Sequence, residues 1–288
     1  MNLRAMPAVV ILVIAALLIG VGSASAETAL ERGTYLMRGI VACGNCHTTR
    51  DAAGKIEPRM ELAGGTVFVA PVFRAVAPNI TPDPETGIGR WTDDQIIDAI
   101  RDGKRPDGTI IGPPMPIDFY RGISDADVRA LVAYLRAVPP VRHQVEKSVY
   151  KIPLPPSYGP PAASVPSTLP SDKIAYGHYL ASNLGHCLEC HTPRAADGQL
   201  VMDKLGAGGQ EIEVPWTGAI VLTSNLTPAN PAGMARWTDQ QIKTAITKGE
   251  RPDRPLAQLM AFDWYQNISD ADLDALVAYL RTLKPAVP

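Results

Sequence analysis

The pattern C-x-x-C-H occurs twice, as Cys43-Gly-Asn-Cys46-His47 and Cys187-Leu-Glu-Cys190-His191, and the sequence around each occurrence is repeated. Gly33-Thr-Tyr35-Leu36 before the first motif returns as Gly177-His-Tyr179-Leu180 before the second. Asn79-Ile-Thr-Pro82 with Arg90-Trp91-Thr92-Asp93 returns as Asn225-Leu-Thr-Pro228 with Arg236-Trp237-Thr238-Asp239. Ile123-Ser-Asp-Ala-Asp127 through Ala133-Tyr134-Leu135-Arg136 returns as Ile268-Ser-Asp-Ala-Asp272 through Ala278-Tyr279-Leu280-Arg281. The offset is 144 at the cysteines, 146 at the tryptophans and 145 at the tyrosines, so the chain is one domain duplicated with two small indels.

The copies are expected over residues 27–138 and 171–288. Between them, residues 139–170 carry Pro139, Pro140, Pro153, Pro155, Pro156, Pro160, Pro161, Pro166 and Pro170, a density that predicts an extended, semi-rigid connection packed across the domains. Each copy reads as mainly α, about three helices held by loops. The first helix is predicted over Leu30 to His47. The second starts at Thr92, with Gln95 completing a capping box, and stops near Gly103; its twin runs from Thr238, with Gln241, to Gly249. The last starts at Ser124 and ends before Pro139, with Val128, Leu131, Val132 and Leu135 on one stripe. Its twin starts at Ser269, with Leu273, Leu276, Val277 and Leu280, and is over by Pro285. A short hairpin is expected in the region between His47 and Asn79, which contains Ala63-Gly-Gly-Thr-Val-Phe-Val.

Residues 1–26 read as a secretory signal: Arg4, an apolar run from Ala8 to Val21, and Ala24-Ser25-Ala26 as a small-x-small site cut before Glu27. The run is short against the roughly 20 residues of a membrane span; the alternative is an uncleaved anchor. The expected location is the periplasm of a Gram-negative-type bacterium, with membrane contact only through a partner or that N-terminal segment. A net charge of −2 gives no electrostatic case for binding nucleic acid.

On a helical turn, residues i, i+3 and i+4 share a face. Two thiols so placed can form thioethers along one porphyrin edge, and the histidine that follows can ligate the iron. A four-cysteine zinc site separates its pairs by about 15–20 residues, whereas 140 residues lie between Cys46 and Cys187. A thioredoxin-type dithiol needs a βαβ context, and disulfides within one turn leave the histidine unexplained. Two covalent haem c groups are therefore predicted, attached at Cys43, Cys46, Cys187 and Cys190, with His47 and His191 on the irons.

The repeat register selects the sixth ligands. Met37 aligns with Ala181, Met60 with Lys204, Met202 with Pro58 and Met234 with Ile88, while Met115 and Met260 align with each other. They follow His47 and His191 by 68 and 69 residues. The competing reading is a methionine filling a core gap. His143, His178 and His186 have no twins, which excludes a symmetric bis-histidine site; His186, next to Cys187, could tune that haem. Trp91 and Trp237 could donate an indole N–H to a propionate, and Asn79, Asn225, Arg50 and Arg194 could do likewise, or serve helix entry and surface ion pairs instead. Tyr120 and Tyr265 read as core aromatics.

These features together resemble class I cytochrome c, in which the first and last helices cross closely; the resemblance implies contacts of Gly33 with Tyr134 and of Gly177 with Tyr279. The string from Asn79 to Trp91 is similar to the cytochrome c subunits of bacterial membrane-bound alcohol and gluconate dehydrogenases, which typically carry three haem motifs where this chain has two. With both axial positions filled, the expected role is electron transfer between a dehydrogenase or quinone-linked donor and an oxidase or other cytochrome, without catalysis. The alternatives are a dihaem peroxidase or thiosulfate-oxidising enzyme with one open iron, and a haem sensor.

Overall fold

Residues 27–51, 53–229, 231 and 233–288 are described by the structure, a computed structural model; the expected signal segment lies outside them. Thr28 and Glu31 form a reciprocal capping box that starts α1 (Ala29–Arg38), whose buried face carries Gly33, Leu36 and Met37. The chain then leaves the helix at Gly39, passes Ala42 at φ 47°, and re-enters one turn, α2 (Gly44–His47). The predicted continuous helix from Leu30 to His47 is thus broken in two. An alanine in the left-handed region costs roughly 1–2 kcal/mol, and it swings the C-x-x-C-H turn off the α1 axis.

Strands β1 (Val67–Ala70) and β2 (Phe73–Val76) form the expected hairpin, with Val67 opposite Val76. Next come α3 (Asp93–Arg101), capped by Thr92 and Gln95, a single turn α4 (Ile117–Tyr120), and α5 (Asp125–Ala137), capped by Ser124. Strand β3 (Val149–Tyr150), within the proline-rich stretch, adds to β2. The second copy repeats the plan with α6 (Lys173–Tyr179), a π-type turn over Leu180–Leu184, α7 (Cys187–Cys190), β4 (Glu211–Glu213), β5 (Ile220–Leu222), α8 (Asp239–Lys248), α9 (Phe262–Tyr265) and α10 (Asp270–Leu280). The break before the motif recurs, with His186 at φ 36° in the position of Ala42. Among the described residues each copy therefore has more helical segments than the three expected: the severed motif turn and the turn after the methionine account for the difference.

In each copy the first and last helices cross with almost no space between backbones. A Cβ on Gly33 would lie 1.9 Å from the Ala130 carbonyl oxygen and 3.2 Å from Tyr134 Cβ; on Gly177 it would lie 2.0 Å from that of Ala275 and 2.8 Å from Tyr279 Cβ. The connection between the copies wraps the first one. Asn79 Nδ2 donates to the Val141 carbonyl at 2.7 Å, Tyr158 donates to Ile111 O at 2.8 Å, and Asp125 N–H donates to Val165 O at 2.9 Å. The copies do not sit as separate beads: their buried side chains form one continuous cluster, and a Cβ on Gly185 would lie 2.8 Å from Ile40 Cδ1.

Candidate cofactor site

Each C-x-x-C-H turn is aimed by the break that precedes it, and each histidine is oriented by a carbonyl of its own copy. His47 Nδ1–H donates to Pro78 O at 2.9 Å, and His191 Nδ1–H donates to Ser224 O at 2.7 Å. Both carbonyls immediately precede the repeated asparagine, so the Asn-x-Thr-Pro block holds the ring in place. Fixing the proton on Nδ1 leaves Nε2 with its lone pair free, the state a metal ligand requires. Burial lowers both imidazole pKa values, and the carbonyl bonds oppose this.

The two histidines, the four cysteines, Met115 and Met260 all line one cavity of about 640 Å³ that runs through both copies. Its walls are largely aliphatic and aromatic, with Ile40, Ile80, Ile96, Leu135, Ile242, Leu276 and both tryptophans among them. Burial pushes the Cys43 and Cys46 thiols up to about 12 and Cys187 to about 11, with Cys190 higher still. Thiols so raised are neutral at physiological pH. Met115 and Met260 hold the same local geometry: the N–H two residues on donates to each methionine carbonyl, from Ile117 and from Phe262, at 2.9 Å. The donor set and the apolar lining fit two haem c groups, with the thiols for the vinyl edges and His Nε2 and Met Sδ for the irons.

Trp91 and Trp237 line the cavity, and their carbonyls are held by Arg136 and Arg281 at the ends of the last helices. Asn79 and Asn225 line it too, but their amides are committed elsewhere. Asn79 Nδ2 donates to Thr86 Oγ1 and Val141 O, Asn225 Nδ2 donates to Ala286 O at 2.6 Å, and both Oδ1 atoms cap the following threonine. Arg50 and Arg194, proposed as propionate donors, lie off the lining. Arg50 is clamped between the copies, 4.3 Å above the Trp216 ring and 5.7 Å from that of Trp264, with Nη2 on Asn45 Oδ1. Arg194 pairs with Gly198 O and Gln210.

Two cavity cations escaped the sequence reading. Arg105 and Arg251 line the walls at equivalent places, and Arg-Pro-Asp recurs at 105–107 and 251–253 with the same offset as the tryptophans; the register filter applied to methionines would have found them. Arg251 is held by Asp253, whereas Arg105 bonds Thr109 and Ile110 O. The junction between copies was also not foreseen. Tyr120 meets the His186 ring edge-on at 5.6 Å, Asn45 Nδ2 donates to Leu259 O at 3.2 Å, and Asn183 Nδ2 donates to Phe119 O at 2.9 Å.

The comparisons agree with this arrangement. The family described as "Cytochrome C oxidase, cbb3-type, subunit III" matches residues 28–135, and the family "Cytochrome c" matches residues 174–284. The "Diheme cytochrome c-type" protein of Cereibacter sphaeroides is 32% identical over 85% of this chain and 82% of its own length. The chain belongs to the c-type cytochromes. The cytochrome is also 34% identical, over 91% of its length, to the alcohol dehydrogenase (quinone) cytochrome c subunit of Gluconobacter oxydans. It is 31% identical, over 89%, to the gluconate 2-dehydrogenase cytochrome c subunit of Pantoea cypripedii. It spans 56% and 60% of those two proteins. Among the described residues no helix is long and apolar enough to cross a membrane.

Proposed function

We propose that this cytochrome carries two haem c groups, one at Cys43, Cys46, His47 and Met115 and one at Cys187, Cys190, His191 and Met260. Its role is then to pass electrons, as a carrier and not a catalyst, from a dehydrogenase or quinone-linked donor to an oxidase or other cytochrome in the periplasm. The observation that carries the reading is that all eight side chains, in four repeat-related pairs, line one apolar cavity.

When bound, each haem supplies a one-electron couple. The chain's own residues do the rest. The cysteines would anchor it, Pro78 O and Ser224 O orient the imidazoles, and Met115 and Met260 would supply sulfur ligands, which would favour a high potential. Aliphatic walls exclude water, so a change of charge meets little solvent rearrangement. The alcohol and gluconate dehydrogenase subunits it resembles make a dehydrogenase the preferred donor. Exposure of the reduced protein to carbon monoxide tests the carrier reading: the spectrum stays unchanged if both irons are doubly ligated, and a carbon monoxide adduct would favour an enzyme of the peroxidase or thiosulfate-oxidising type.

A further inference from the structure

The two copies differ in charge at the junction where their motif turns approach. The residue before the second cysteine is Asn45 in the first copy and Glu189 in the second. The Glu189 side chain is only 16% exposed. One carboxylate oxygen lies 3.3 Å from His186 Nδ1, and the His186 ring is wedged edge-on against Tyr120 of the first copy. Glu189 thus stands behind the cavity wall at the junction, next to Cys190 in the second copy and, across the His186 ring, to Tyr120, which lines the cavity in the first. Arg194 pairs with it at 3.7 Å with a side chain 40% exposed, so water screens the cation more than the less exposed anion. On the first side, Arg50 opposes it from between Trp216 and Trp264.

We propose that Glu189 is a shared redox-tuning residue, one partly buried carboxylate at the junction that holds the potentials of both haem sites down. A ferric haem carries one more positive charge than a ferrous one, so a nearby fixed anion stabilises the oxidised form. Because the anion stands at the junction, it acts on the two sites together. Glu189 is a positioning charge: it ligates neither iron and moves no atom. The inference rests on the two-haem reading above.

The test is a spectroelectrochemical titration of the holo-cytochrome, with haem count and ligand spectra recorded on the same samples. Glu189→Gln keeps the shape and removes the charge. Both midpoints rise, by on the order of tenfold in the reduced-to-oxidised ratio at a fixed solution potential, which is about 59 mV for a one-electron couple. Glu189→Asp restores most of the shift. Arg194→Gln, at an exposed position, uncovers the anion and moves both midpoints the opposite way. If Glu189→Gln and Arg194→Gln leave both midpoints in place, or move only one, Glu189 is not a shared tuning charge. Loss of a haem from the unaltered protein would instead refute the two-haem reading, and is seen in the haem count before any potential is compared.

Discussion

The hydroxyl of Tyr35, on the first helix of the first copy, donates to the carboxylate of Asp272, on the last helix of the second, across 2.7 Å. The same oxygen accepts from the Ser269 N–H at 3.1 Å. The contact is reciprocated: Tyr179 donates to Asp127 at 2.7 Å and accepts from the Ser124 N–H at 3.1 Å. Each copy thus completes the N-terminal cap of the other's last helix. Tyr35→Phe removes a hydrogen bond to a charged group at a half-buried site and lowers stability by about 1.5 kcal/mol; Tyr179→Phe, fully buried, costs about 2–3 kcal/mol. Denaturant midpoints of the two variants, read at constant m, check both values and their order.

Tyr179, with Tyr176 and Tyr134, sets the alkaline limit. Burial, with Asp272 beside it, raises Tyr176 to about 12, and burial with Asp127 raises Tyr179 further. Burial and Glu61 raise Tyr134 to about 12. In the unfolded chain these phenols titrate near about pH 10. A raised folded pKa means that the unfolded state loses its protons first. The stability is therefore intact below about pH 10 and is lost as the pH climbs from there toward 12. A series of urea melts across that window shows a falling midpoint, and Tyr176→Phe makes the fall shallower.

Gly33 and Gly177 mark the tightest backbone approaches between the paired helices. Because a methyl group at either would sit about 2 Å from a carbonyl oxygen, Gly33→Ala or Gly177→Ala forces α1 off α5, or α6 off α10. The expected loss is about 3 kcal/mol, at the upper end for overpacking. Thermal unfolding of the holo-protein measures it. Gly108→Ala, where a Cβ meets nothing within 4 Å but φ is 83°, gives the cost of backbone strain without a clash, and the loss at Gly33 or Gly177 exceeds it.

Met115→Ala and Met260→Ala each remove one proposed axial sulfur. The weak charge-transfer band from sulfur to ferric iron falls by half in either variant, the midpoint of the affected haem drops, and its ferrous form now binds carbon monoxide. An unaltered spectrum in either variant would show that the ligand of that haem lies elsewhere.

The parts legible in the sequence are those that local chemistry dictates. The C-x-x-C-H turns, the Thr92/Gln95 and Thr238/Gln241 caps and the Ser124 and Ser269 helix starts depend on residues three or four apart. Met115 and Met260 emerged because duplication supplies its own alignment. The break before each motif was hidden because the left-handed positions are occupied by Ala42 and His186, which carry no glycine signature. Asn79 and Asn225 misled for a related reason. Asparagine is at once a side-chain donor and a turn former, and the Oδ1 bonds to Thr81 and Thr227 show the turn role. Arg50 offered no hint that its partner surface was Trp216 of the other copy, since packing between copies has no sequence period.

Intact mass of the purified, matured holo-protein, taken under denaturing conditions together with a haem count, bears most directly on the account. The predicted result is a coloured protein heavier than its polypeptide by two covalent haem groups. A colourless product, or a mass equal to that of the bare chain, would contradict it.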